Sequence, residues 1–217
     1  MRQAITIAIV FLGGFVIMVL EIVGARYLAT DFGGAYYVWI SQIGVILIAL
    51  SLGYYIGGVW ADRWQRTLYL TWLLIPTAAY VALIPRFSGH ILNWIIMRHP
   101  LDLPIPVLWQ KLDPALGSAL IFLWPCFVLA MLSPYMIRVA AQQISHLGRI
   151  SGAIYAASTV GSIAGVFVSG YLLIDLISLS QIFHMSGVLI GILGGLCLAM
   201  DYWFYTPHQE NTTCTTV

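Results

Sequence analysis

One acidic residue, Glu21, lies within an apolar run near the start of the chain and is the first candidate for chemistry. It follows Ile5 by 16 positions, which on a helix is roughly 24 Å. A carboxylate at that depth in a bilayer is unfavourable and by default a functional candidate. Arg26 is its natural partner, but five residues place the two side chains about 140° apart on a helix. They would pair only if the helix unwinds near Gly24.

A third polar candidate, Gln42, lies in the next apolar run. Two interpretations of Glu21, Arg26 and Gln42 stay open. They form a site for a small molecule or a proton, or they form a structural ion pair and polar packing that hold helices together.

Metal and catalytic chemistry are not expected. Of the histidines, only His184 falls inside an apolar run, and no H-E-x-x-H, H-x-x-E-H or paired-cysteine motif occurs. No strand pattern leads into a glycine-rich turn and an acidic residue, as a nucleoside cofactor requires. The sequence therefore predicts no catalytic residue, no metal and no cofactor.

The composition is that of a membrane protein. Hydrophobic residues make up 61% of the chain and charged residues 8%, whereas soluble domains carry roughly 25% charged residues. A net charge of +1 argues against a nucleic-acid partner.

Six stretches are long and apolar enough to span a bilayer, which takes about 20 residues each. They lie near 4–28, 37–60, 68–84, 115–137, 151–175 and 180–200. Backbone groups in lipid must be satisfied within their own helix, so the fold class is an all-α integral membrane protein. One membrane domain covers 1–200, and 201–217 is a short tail.

The connection over 85–114 is interrupted by Pro100, Pro104 and Pro106. Within it, residues 90–98 suit a helix lying in the headgroup region. An irregular loop buried against other protein is the alternative.

Small residues recur every four positions in the second and fifth spans. The first small-residue stripe comprises Ala49, Gly53, Gly57 and Ala61, and the second comprises Ala157, Gly161, Gly165 and Ser169. This spacing places each set on one helix face, where another backbone can approach closely in lipid. We expect both spans to pack near the centre of the bundle.

A weak internal repeat has an offset of 112 residues, which aligns Arg26 with Arg138 and Gly53 with Gly165. Two halves of three spans each would have opposite orientations in the membrane. The sequence therefore suggests a 3+3 inverted repeat, as in many transporters.

The distribution of Lys and Arg favours both termini in the cytoplasm. In that orientation, Arg63 and Arg138 lie in short cytoplasmic loops, together with Asp62. Asp62 and Arg63 would cap the second helix or lock this loop.

Several blocks resemble the membrane domain of proteins related to spermidine synthase, in which a multi-span domain is often fused to an aminopropyltransferase-like domain. The first block comprises Leu20-Glu21, Arg26-Tyr27-Leu28-Ala29, Phe32-Gly33 and Trp39. The others are Gly53-Tyr54-Tyr55-Ile56-Gly57-Gly58, Ala61-Asp62-Arg63, Ser133-Pro134-Tyr135-Met136-Ile137-Arg138 and Gly152-Ala153-Ile154-Tyr155-Ala156-Ala157-Ser158-Thr159-Val160-Gly161-Ser162. Thr30 stands where the family's pattern has proline.

The resemblance covers most of residues 15–175, and no synthase domain follows before Val217, so any catalysis is expected from a partner chain. The glycine-rich second span and its Asp62-Arg63 ending also resemble, more loosely, the major facilitator transporters, of which the chain would be half.

Two functions are consistent with these observations. The favoured one is a non-catalytic membrane subunit that scaffolds a larger complex or anchors a separately encoded enzyme, because a chain of 24.0 kDa with six spans has little mass outside the membrane. The alternative is a transporter of small molecules, polyamine-like or other, working as a dimer of six-helix units. The expected partners are the lipid bilayer and either other membrane subunits or a homo-oligomer. The expected location is a bacterial inner membrane.

Overall fold

A computed structural model describes residues 2–33, 36–64, 66–99, 105–140 and 147–204. These segments form helices joined by short connections and contain no strand. The helices are α1 (Arg2–Phe32), α2 (Tyr36–Arg63), α3 (Leu68–Ile96), α4 (Val107–Ala130), α5 (Leu132–Ala140), α6 (Leu147–Val168), α7 (Ile174–Leu176) and α8 (Leu179–Phe204). A π-helical turn, Ser169–Leu173, joins α6 to α7.

Six helical segments are long and apolar enough to cross a membrane, which confirms the predicted all-α six-span fold. They are Gln3–Phe32, Tyr36–Arg63, Leu68–Ile96, Val107–Ala140, Gly148–Leu176 and Leu179–Trp203. The first ends where Gly33 adopts a φ of 82°, a left-handed conformation that closes a helix without strain at glycine.

The third span is longer than the sequence predicted. Helix α3 continues through Pro85 to Ile96, so the predicted end near 84 and the separate interfacial helix over 90–98 are wrong. Packing explains the difference, because Ile84, Leu92 and Ile95 are fully buried. Prolines are tolerated in spanning helices where neighbouring helices hold the backbone. His90 consequently lies in a helix rather than in a loop.

The fourth span is also longer than the predicted 115–137. It begins at Val107 and continues, after a turn at Met131, to Ala140.

The most extensive contacts pair α1 with α6, α2 with α4, and α3 with α8. The small-residue stripes make two of these contacts. A Cβ added at Gly53 would lie 2.5 Å from the Phe127 carbonyl oxygen of α4, and one at Gly165 would lie 2.5 Å from the Phe15 carbonyl oxygen of α1. Only glycine allows backbones this close.

These contacts repeat at the offset seen in the sequence. Gly165 follows Gly53 by 112 positions, and Phe127 follows Phe15 by the same number. The pairing of α3 with α8 obeys the same rule, because Gly187 meets Ala82 and Gly194 meets Ile75. The packing is therefore that of two three-helix units related by an inverted repeat.

The stripes do not lie at the centre of the bundle, and that expectation is wrong. The buried share of the most apolar part of each span shows this. It is 50% in α1 and 61% in α4–α5, but only 28% in α2 and 17% in α6. Each stripe occupies one face of its helix and meets one main partner, which leaves the other faces exposed. Helices α1 and α4 form the centre, and α2 and α6 flank them.

Candidate functional site

Glu21 and Arg26 do not form an ion pair. Helix α1 is unbroken through Gly24, so the unwinding that pairing required is absent. Arg26 is exposed. Among the residues that the structure describes, the salt bridges join other side chains, and Glu21 has neither an ion pair nor a side-chain hydrogen bond.

Two helix contacts fix the position of Glu21. One turn before it, Met18 packs against Gly165 of α6; one turn after it, Gly24 packs against Gln42 of α2 and Phe122 of α4. The carboxylate is therefore half-buried between α6 on one side and α2 and α4 on the other. It is close enough to the thiol of Cys126 in α4 for an electrostatic interaction.

Gln42 is fully buried and only partly satisfied. Ser118 of α4 donates a hydrogen bond of 2.6 Å to its Oε1. Its Nε2 has no partner among the described residues and faces Gly24, where an added Cβ would lie 2.5 Å away. Because the Ser118 hydroxyl can donate or accept, rotating the amide would leave the oxygen unpaired instead. Either orientation leaves one polar atom of the amide without a partner.

A π-helical turn lies beside Glu21. It begins at Ser169, one helical turn beyond the Gly165–Met18 contact, and it packs against α1. Ser169 is buried and donates to the carbonyl of Gly165 at 2.7 Å. Single π turns inside α-helices occur frequently at functional sites.

We define the candidate site as Glu21, Gln42, Ser118, Cys126 and the turn Ser169–Leu173. Two of the three polar residues named from the sequence, Glu21 and Gln42, lie within it, and Arg26 lies outside. Sequence reasoning did not identify Ser118 or the π turn. Neither can be recognised from the residues next to it in the sequence. Ser118, for example, donates its hydrogen bond to Gln42, which is 76 positions away.

Ion pairs occupy the two ends of the bundle, outside this site. At one end, the buried Asp113 carboxylate binds Arg98 at 2.5 Å and His99 at 2.7 Å, and Arg98 lies over the ring of Trp109. These contacts join the end of α3 to the start of α4. The sequence analysis did not identify Asp113, because its partners precede it across a proline-rich connection.

At the other end, Asp62 pairs with Arg138 at 3.0 Å and links α2 to α5. Arg63 makes a different contact, over the ring of Trp64. Asp201 of α8 binds Arg66 at 3.1 Å and accepts a hydrogen bond from the Leu68 amide at the start of α3.

The same end contains a buried tyrosine. The hydroxyl of Tyr135 in α5 donates to the carbonyls of Trp64 and Arg66. The connection between α2 and α3 is thus attached both to α5 and to α8. Two of the three predicted loop charges, Asp62 and Arg138, meet here.

The described residues contain no cluster of three or more histidine, cysteine, aspartate or glutamate side chains able to hold a metal ion. No family profile, curated protein or solved structure matches this chain. The resemblance to spermidine synthase-related membrane proteins therefore stays a prediction.

Proposed function

We propose that this protein is a membrane carrier that binds a small, positively charged molecule at Glu21. The observation that carries the proposal is the half-buried Glu21 carboxylate, which has no partner among the described residues, at the α1, α2 and α4 junction that also holds the unsatisfied amide of Gln42. An ionisable group at membrane depth marks an ion or substrate pathway when no structural partner accounts for it.

The ligand class follows from the charges. A carboxylate in a low-dielectric site attracts a cation much more strongly than it would in water. The amide and the Ser118 hydroxyl add neutral hydrogen-bonding groups but no second charge. An organic amine or ammonium group fits this combination better than an anion does.

The arrangement of the helices supports transport rather than static binding. Inverted repeats place their substrate sites where the two halves meet, and exposure of the site alternates as one half rocks against the other. Gln42 belongs to the first half and Ser118 to the second. The proposed site thus joins the two halves.

A second candidate function is the membrane subunit that scaffolds a complex or anchors a separate enzyme. It is favoured by glycines that have open space around them on α2, on α6 and in the π-helical turn, including Gly58, Gly152 and Gly170. Glycines on a lipid-exposed face are typical of a surface where another protein helix approaches. Mild purification followed by mass spectrometry of the co-purifying chains tests this candidate.

The proposed location is a bacterial inner membrane with both termini in the cytoplasm. Thiol labelling of Cys214 decides the orientation, although this residue lies outside the described part of the chain. Labelling of Cys214 from the outside of intact cells would contradict a cytoplasmic C-terminus.

Glu21→Gln tests the carrier function, with Asp31→Asn as the matched control, because Asp31 is an exposed carboxylate on the same helix. Spermidine, suggested by the family resemblance, and tetramethylammonium serve as probes. We expect each variant to accumulate in membranes like the wild type. Thermal stabilisation by either probe, and uptake of spermidine into proteoliposomes, should be lost in Glu21→Gln alone. Binding and uptake that survive Glu21→Gln would refute the proposal.

A further inference from the structure

The salt bridge between Asp62 and Arg138 has a counterpart in the other half of the chain. Asp62 lies at the end of α2 and Arg138 in α5, and the two are 3.0 Å apart although both side chains are exposed. The offset of 112 residues places Arg26 of α1 at the position of Arg138. An acidic partner for Arg26 is therefore expected where the fifth span ends.

Asp175 of α7 is the acidic residue at that position. A strict offset of 112 would align Asp62 with Ile174 instead. The π-helical turn Ser169–Leu173 lies directly before it, and a π turn holds one residue more than an α turn because its hydrogen bonds run from i to i+5. The corresponding residues 57–61 of α2 are regular α-helix. The π turn thus accommodates one extra residue, and beyond it the offset becomes 113, which is the separation of Asp62 and Asp175.

Helix packing places Arg26 and Asp175 at similar heights in the bundle. The contact of Gly165 with Phe15 sets the register between α6 and α1, and the preceding contact lies four residues earlier on both helices, so the two run in the same direction. Asp175 lies ten residues beyond Gly165, and Arg26 lies eleven residues beyond Phe15. At 1.5 Å per residue, the two positions are within a few ångströms of each other in height.

The pair that is formed has the same register. Gly53 packs against Phe127 as Gly165 packs against Phe15. Asp62 lies nine residues beyond Gly53, and Arg138 lies eleven residues beyond Phe127. The two pairs are therefore equivalent, apart from the one residue that the π turn accommodates.

Only one of the two equivalent pairs is formed. Arg26 and Asp175 are both exposed, and the salt bridges among the described residues include neither of them. Helix α1 also packs against the π turn that precedes Asp175. Two opposite charges thus lie on neighbouring helices, at matching heights, without an ion-pair partner in the described part of the chain.

We propose that Arg26 and Asp175 form a second salt bridge in an alternative state of the protein, in which Asp62 and Arg138 separate. The two pairs lie at opposite ends of the bundle, because consecutive spans cross it in opposite directions. When one half of an inverted repeat moves against the other, the closed end opens and the open end closes. The proposal rests on the carrier function in one respect, since this exchange would expose Glu21 to each side of the membrane in turn.

The exposure of both pairs makes the exchange energetically accessible. Exposed ion pairs contribute little to stability, because water screens them. Breaking one such pair while forming an equivalent one leaves the two states close in free energy. Removing either pair should therefore shift the population toward the state that keeps the other.

Distances between spin labels, measured by electron paramagnetic resonance in nanodiscs, test the second salt bridge. Labels at Thr30→Cys on α1 and Leu176→Cys on α7, both exposed positions, report on this end of the bundle without removing either charge. Cys214→Ser removes the thiol of the tail, and Cys126 and Cys197 are buried. A short distance between the labels marks the state in which Arg26 and Asp175 are paired.

Arg138→Gln breaks the pair that is formed, and Arg63→Gln is the matched control. Arg63 is an exposed arginine at the same end, but it contacts the ring of Trp64 rather than a carboxylate. We expect Arg138→Gln to raise the ratio of short to long distances by about twofold to fivefold, the range that an exposed ion pair can contribute. Arg63→Gln should leave the ratio unchanged. No increase with Arg138→Gln, or an equal increase with Arg63→Gln, would overturn the proposal.

Substitutions of the second pair identify the partners. In the Arg138→Gln background, Asp175→Asn should abolish the increase, whereas Asp31→Asn, which alters an exposed carboxylate on α1, should not. Asp175→Arg places two cations together and should favour the long distance, and adding Arg26→Asp should restore the short one. A short distance that survives Asp175→Asn, or that the exchanged charges fail to restore, would refute the pairing.

The two proposals fail in different ways. Spermidine binding that is lost in Glu21→Gln, in a protein whose label distances do not respond to Arg138→Gln, would refute the second salt bridge and leave the site intact. Label distances that respond as expected, in a protein that binds no spermidine or tetramethylammonium, would refute the carrier function alone.

Discussion

The hydroxyl of Ser118 in α4 lies 2.6 Å from the amide oxygen of Gln42 in α2, and both side chains are fully buried. This bond satisfies one end of the amide and leaves the other facing α1. An unsatisfied polar atom in the interior lowers stability unless a ligand or a water molecule binds it. The Ser118–Gln42 pair therefore links the fold to the proposed site.

Replacement of Gln42 by methionine should raise stability and lower ligand affinity. Methionine has a similar length and removes the unpaired amide atom, and substituting apolar groups for a buried polar pair is often neutral or stabilising. Gln42→Met alone would leave the Ser118 hydroxyl without its acceptor. The Gln42→Met and Ser118→Ala double variant removes both groups and is therefore the better test. We expect its melting temperature in detergent to match or exceed that of the wild type, with reduced stabilisation by spermidine. A large drop in melting temperature would instead assign the pair a purely structural role.

Gly24→Ala should destabilise the protein. The added Cβ would lie 2.5 Å from Gln42 Nε2 and 2.9 Å from the ring of Phe122, so these two buried side chains or α1 itself must shift. Overpacking of this kind costs about 1–3 kcal/mol.

Gly89→Ala is the control for Gly24→Ala, because nothing lies within 4 Å of its Cβ position. It should leave the melting temperature unchanged or raise it. Equal melting of the two variants would show that α1 is not held against Gln42.

Gly53→Leu and Gly165→Leu should lower the melting temperature by similar amounts. The two glycines make equivalent contacts, because a Cβ added at either one would lie 2.5 Å from a carbonyl oxygen of the partner helix. Gly58→Leu should have little effect on the melting temperature, since nothing lies within 4 Å of a Cβ added at Gly58. A severe effect at one of the two packed glycines only would contradict the equivalence of the two halves.

Asp201→Asn should be more damaging than Asp62→Asn, although each removes one carboxylate from an ion pair at the same end of the bundle. The Asp201 side chain is 8% exposed and also binds the first amide of α3, whereas that of Asp62 is 74% exposed. Exposed ion pairs contribute about 0–1 kcal/mol, because water screens them. Melting curves of the two variants at low and high salt would test this order, and the reverse order would contradict it.

The elements of the fold were predictable from the sequence to different degrees. The number and type of spans follow from hydropathy, and the stripes at Gly53 and Gly165 are packed because small residues at four-residue spacing share a face. Their location in the bundle was not predictable. The stripe pattern identifies a contact but not which helix supplies the other side, and each peripheral helix packs against a span from the opposite half.

The boundaries of α3 show a different limit. Pro76 and Pro85 are strong local breakers, yet both lie inside the helix. The burial of Ile84 and Leu92 against neighbouring helices outweighs the local signal. At the site, Glu21 could be recognised from its charge alone. Whether Arg26 can reach Glu21 depends on whether the helix is broken at Gly24, which the unbroken α1 establishes.

The pairing of each span with one from the other half has a consequence for how the protein is made. As the ribosome delivers the chain from its N-terminus, α1, α2 and α3 enter the membrane before α6, α4 and α8, their main partners, have been synthesised. The packed faces of Gly53 and Gly57 must wait for Phe127 and Met131. The first three spans thus enter the membrane without their most extensive contacts, and the bundle is complete only when the last spans have been translated.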